Sequence, residues 1–96
     1  MIKHVVMWKF KEENKKANMQ TAKELLMSLP ALIPEIKSMN VYFDALGKDA
    51  AMDVMLTVEL ESAEALGIYA VHPEHVKVAG FIRSVIESRV VLDAEI

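Results

Sequence analysis

The chain has 96 residues, of which 53% are hydrophobic and 26% charged, and its formal net charge is −3. That balance excludes disorder, and the length leaves room for one core, so residues 1–96 read as a single folded domain. The absence of cysteine excludes disulfides, thiolate nucleophiles and zinc–thiolate centres, and with no basic run longer than Lys15-Lys16 nucleic acid is not expected as a partner.

Ile2 to Phe10 carries β-branched, aromatic and sulfur-bearing side chains without Gly or Pro, which predicts a strand. Its even positions, Ile2, His4, Val6, Trp8 and Phe10, are apolar except for His4, while the odd positions place Lys3 and Lys9 around Val5 and Met7. Polar residues from Lys11 to Asn18 read as a connection. Met19, Ala22, Leu25, Leu26 and Leu29 then recur at helical spacing as far as Pro30. Ala31 to Ile36 is apolar, but Pro34 opposes a regular helix there. Met39 to Phe43 predicts a short second strand, and Asp44 to Ala51, with Gly47, predicts a turn. From Met52 to Leu60 the residues Met52, Val54, Leu56, Val58 and Leu60 alternate with Asp53, Met55, Thr57 and Glu59, the pattern of a third strand.

Ser62 is placed to cap a helix, with Glu64 in a first turn where the helix dipole favours negative charge. Leu66, Tyr69 and Ala70 share one face of it. At His72-Pro73 the chain restarts, with Pro73 at the first position of a further helix that runs to about Arg83. Ser88 to Asp93 predicts the last strand. The order is β-α-β-β-α-β, an α+β, ferredoxin-like arrangement with the helices on one face of a four-stranded antiparallel sheet. The second face would carry Val5, Met7, Met55, Thr57 and Val91, and is less polar than a face open to water. A two-fold-related copy laid sheet to sheet would cover it, so a homodimer is expected. No apolar run approaches the ~20 residues that cross a bilayer, and the first residues enter a strand rather than the apolar segment of a signal peptide. A cytoplasmic protein without a membrane partner is the expectation.

Three stretches carry a family resemblance: Ile2-Lys3-His4-Val5-Val6-Met7-Trp8-Lys9-Phe10, Val71-His72-Pro73-Glu74-His75 and Glu87-Ser88-Arg89-Val90-Val91-Leu92-Asp93. With Pro34 and Phe81 they resemble the Dabb family, the stress-responsive dimeric α/β barrel domains, over essentially the whole chain. The resemblance implies a ferredoxin-like protomer, a dimer whose two sheets form a barrel, and a ligand pocket between sheet and helices. That pocket would be lined by His4, Val6, Trp8, Leu26, Val54, Leu56, Phe81 and Ile86. In olivetolic acid cyclase-type members of the family a histidine matching His75 and a tyrosine matching Tyr69 close a keto chain by aldol condensation, and a strand-1 histidine matches His4. This chain departs from them at Ala22, Lys23 and Leu26, where they carry aromatic side chains, and at Val54, where they carry a further histidine. With Trp8 narrowing the floor, a long alkyl tail is not expected as ligand.

His75 would lie in the first turn of its helix, where the dipole disfavours a cationic imidazole, so a neutral general base is available near pH 7. Tyr69, before the His-Pro break, would donate a hydrogen bond either to His75 or to a ligand carbonyl. Such a pair supports proton abstraction alpha to a carbonyl. The structural alternative is that both side chains only tie the helix restart to the sheet. His72 and His75 with Glu74 do not have the spacing of a metal site, and no metal or cofactor is expected. Two readings of function stand. One is a cofactor-independent lyase, cyclase or isomerase acting on a small apolar or keto ligand. The other is a non-catalytic, stress-associated dimer that works through its interactions.

Overall fold

The alternation in the first and third strands decides the architecture, because each offers one face that is apolar (His4 excepted) and so belongs in the middle of a sheet. A computed structural model describes all 96 residues. The elements are β1 (Ile2–Phe10), α1 (Lys15–Met27), β2 (Ser38–Phe43), β3 (Val54–Leu60), α2 (Ala63–Val71), α3 (Pro73–Val85) and β4 (Ile86–Glu95), with a 3-10 turn at Leu29–Ala31. The strands pair antiparallel in the order β2-β3-β1-β4, the ferredoxin-like topology. Val6, Trp8 and Phe10 of β1 and Val54, Leu56, Val58 and Leu60 of β3 form the buried face under the helices. No helix is long and apolar enough to cross a membrane.

α1 starts at Lys15, inside the stretch expected to be a connection. Its first turn carries no core residue, so apolar periodicity begins only at Met19 and hides the true start. Asn14, at φ 54°, takes the left-handed conformation that asparagine tolerates, and turns the chain into the helix. Lys15 Nζ then reaches Glu12 at 2.9 Å and Asp53 at 3.3 Å. Asp53 also accepts the Phe10 backbone N–H at 2.8 Å, so one carboxylate ties the end of β1, the start of β3 and the first turn of α1. At its far end α1 gives way to the 3-10 turn, where Pro30 suits the opening position and Leu29 is carried into the core. The β2–β3 turn closes on Gly47, whose φ of 67° favours glycine and whose N–H donates to Asp44 Oδ2 at 2.7 Å.

Ser62 caps α2 as expected, accepting from the Ala65 N–H at 3.1 Å. His72 caps α3 through Nδ1, which accepts from the Glu74 N–H at 3.1 Å, and Pro73 occupies the first helical position.

β4 corrects one expectation. It pairs with β1 as Phe10↔Ile86, Lys9↔Ser88, Trp8↔Arg89, Val6↔Val91 and His4↔Asp93, so Glu87 is an extra residue, a β-bulge. Directly paired residues share a face. Ile86 therefore faces the helices, the bulge reverses the phase, and Arg89, Val91 and Asp93 face them too. Val91 is not on the open face. Val90 and Leu92 take that place, opposite Met7 and Val5. The open face is accordingly more apolar than expected: Val5, Met7, Met55 and Thr57 are half-buried, and Tyr42, Val90 and Leu92 are exposed. Only 17 of the 96 residues are buried, so much of the hydrophobic content stays uncovered in one chain.

Candidate active site

α2 and α3 meet at the His72-Pro73 break above β1 and β4, and between these elements lies a cavity of about 540 Å³. That is within the range that holds a small organic ligand. β1 contributes His4, Val6 and Trp8, and β3 contributes Leu56. Leu66, Tyr69 and Ala70 come from α2, the face read from the sequence. α3 contributes His75, Val78, Ala79, Ile82 and Arg83, one stripe at helical spacing.

Tyr69 and His75 of the cavity meet where α2 ends. The last carbonyls of a helix lack intrahelical donors. His75 Nδ1–H donates to one of them, the Ala70 carbonyl, at 3.0 Å. A carbonyl only accepts, so Nδ1 bears the proton and Nε2 is the free basic nitrogen. Burial pushes the His75 imidazole below its ordinary value against the opposing effect of the Ala70 carbonyl, and the Arg89 guanidinium acts in the same direction as burial. His75 is thus held neutral near pH 7.

The Tyr69 ring packs between the two cavity histidines, with its centroid 4.3 Å from His75 and 6.1 Å, edge to face, from His4. The side chain is 1% exposed, and its hydroxyl has no hydrogen-bond partner in the protein. Of the two roles read from the sequence, a bond to His75 is therefore not formed. Burial raises the phenol well above its ordinary value, which keeps Tyr69 a donor. His4 Nδ1 lies 2.5 Å from Asp93 Oδ1 across the β1–β4 pair. That contact fixes the His4 ring against the cavity wall.

The sequence signature of the stress responsive A/B barrel domain matches residues 2–96. The chain belongs to the Dabb family. Among solved structures this Dabb domain is similar to a dimeric ferredoxin-like protein from Bacteroides fragilis, at 29% identity and a TM-score of 0.91, covering 99% of this chain and 95% of that one. A dimeric ferredoxin-like protein from Thermobifida fusca is similar at 21% identity and TM-score 0.89, covering 99% and 90%. The hydroxynitrile lyase from Passiflora edulis shares the fold at 17% identity and TM-score 0.85, covering 97% and 90%. No curated protein matches the chain.

In the Dabb domain His75, Tyr69, His4, Val6, Trp8, Leu26, Leu56 and Ile86 all border the cavity. Val54 and Phe81 do not. Val54 is paired with Trp8 and Phe43, on the side of the sheet away from β4, and borders a smaller recess of about 210 Å³ with Tyr42 and Phe43. Phe81 falls outside the stripe formed by His75, Val78, Ala79 and Ile82, and packs against the core instead. Sequence reasoning missed Arg83, Arg89 and Asp93 in the wall. Arg83 continues the α3 stripe and was legible from its spacing. Arg89 and Asp93 were hidden by the bulge.

Proposed function

We infer that this Dabb domain takes a small apolar keto compound into the cavity and abstracts a proton alpha to its carbonyl without a cofactor. The Tyr69 hydroxyl carries this reading: it is buried and unpartnered, beside a histidine whose tautomer is set by Ala70. A buried hydroxyl left unpaired costs about 1–3 kcal/mol, a penalty that a ligand carbonyl would remove. In the proposed reaction His75 Nε2 takes the α-proton, and Tyr69 donates to the oxygen on which the enolate charge collects. Where the ligand has a second carbonyl, the enolate carbon bonds to that carbonyl carbon, and His75 returns its proton to the new alkoxide. This is the cyclisation that the resemblance to olivetolic acid cyclase-type proteins implies. That the same fold serves a lyase in Passiflora edulis supports it by analogy only.

The assembly proposed with it is a homodimer closed through the open sheet face, where Val5, Met7, Val90 and Leu92 lie. The dimeric state of the Bacteroides and Thermobifida proteins supports this. The reaction is tested by following loss of the α-proton NMR signals of 2-octanone in D2O. Wild-type protein should accelerate exchange over buffer, and His75→Gln should abolish the acceleration. Equal rates with and without protein would leave the non-catalytic dimer as the better reading.

A further inference from the structure

The chain contains only two arginines, Arg83 and Arg89, and both border the cavity, whereas none of its nine lysines does. Arg83 comes from the last turn of α3 and Arg89 from β4 just beyond the bulge, and both are exposed. Neither forms an ion pair within the chain, although Lys3, Lys15, Lys37 and Lys77 all do. The one carboxylate in the wall, Asp93, is engaged by His4. In a protein of net charge −3, the cavity thus carries two guanidinium groups against one carboxylate.

We propose that Arg83 and Arg89 hold a carboxylate of the ligand at the cavity rim, so that the substrate class is a keto acid with a short apolar chain between its acid and its ketone. This rests on the proton-abstraction reading above and adds to it which end of the ligand stays outside. A guanidinium offers a planar fork of donors that matches a carboxylate, which an ammonium does not. A carboxylate at the rim keeps its charge near water, and the apolar wall of Val6, Trp8 and Leu56 takes the chain, as desolvation requires. Tyr69, buried and unpartnered, is the donor left for the ketone. A bound carboxylate also offsets the positive charge of Arg89 that lowers the basicity of His75, so the intended ligand strengthens the base that acts on it.

Trp8 is the only tryptophan and borders the cavity, so its fluorescence reports binding directly. The probes are 8-oxononanoate, its methyl ester and nonyl phosphate, titrated at low and high salt. The acid should bind at least tenfold more tightly than the ester, and salt should narrow the gap. Arg83→Gln and Arg89→Gln should each weaken acid binding, and the double variant should bind acid and ester alike with ester affinity unchanged. Circular dichroism of the variants should match the wild type, as expected for exposed positions. Equal binding of acid and ester to the wild type overturns the arginine anchor. So does an acid preference that survives in the double variant, or a preference for nonyl phosphate. If the ester alone binds and shows His75-dependent exchange, the anchor falls while the proton-abstraction reading stands. If no probe binds, both fall.

Discussion

Tyr69→Phe removes a single oxygen atom from a side chain that is 1% exposed. In a typical buried tyrosine that change forfeits a hydrogen bond worth about 0.5–1.5 kcal/mol. Here the hydroxyl has no partner, so nothing of that kind is lost. The phenylalanine ring keeps the packing against His75 at 4.3 Å and His4 at 6.1 Å. What disappears is the penalty for an unpaired buried hydroxyl, about 1–3 kcal/mol. The variant should therefore be more stable, by roughly 4–8 °C in Tm for each kcal/mol in a domain of this size. Thermal unfolding of both proteins at one concentration measures this, since association would otherwise shift the midpoint. Over the same substitution α-proton exchange of 2-octanone should fall by about 10²–10³-fold, the usual effect of removing an oxyanion donor. Stability and turnover then move in opposite directions. A lower Tm in the variant would show that the hydroxyl holds the structure together, and would refute the argument.

Three further outcomes are expected. The folded His75 imidazole lies below its ordinary value of 6.5 chiefly through burial, so the unfolded chain takes up its proton first as pH falls. Its contribution to stability is fully present above about pH 6.5 and is lost toward the lower, folded value. Urea unfolding of wild type and His75→Gln should therefore differ less as pH falls, and a gap that stays constant or widens contradicts the reasoning. Leu92, 66% exposed and opposite Val5 on the open face, should give a folded monomer when changed to Glu, read by sedimentation at micromolar concentration. A dimer that survives this change argues against sheet-to-sheet assembly. Asp53→Ala should cost about 1–3 kcal/mol in urea unfolding by leaving the Phe10 N–H unpaired, and a negligible loss would show that the tie is ornamental.

Much of the fold was legible in the sequence because local and global signals agree. The alternation around Val54–Leu60, the Ser62 cap and the His72-Pro73 restart each have one physical reading, and the structure follows them. The start of α1 was not legible, since its first turn is anchored by a contact to Asp53, remote in sequence, rather than by apolar spacing. In the site, Tyr69 and His75 announced themselves through the helix break. The orphaned Tyr69 hydroxyl did not, because a missing hydrogen bond leaves no mark in a sequence. Arg89 was concealed for a different reason: simple alternation from Ile86 puts Ser88, Val90 and Leu92 inside, and the extra residue in β4 is visible only once its pairing with β1 is known.

Glu87 therefore acts as a phase marker, fixing which of two complete sets of β4 side chains lines the cavity and which meets the other face. Paired opposite Lys9 instead of bulged, Glu87 would turn Arg89 and Asp93 outward and Val90 and Leu92 inward, exchanging a charged rim for an aliphatic one. Deleting Glu87 should make the pairing regular and leave Arg89 opposite Trp8, so salt-sensitive acid binding should survive, and its loss would show that the register past Ile86 depends on the bulge. The lining of the cavity thus depends on whether one residue at the foot of an edge strand is bulged or paired, with no substitution anywhere in the cavity wall.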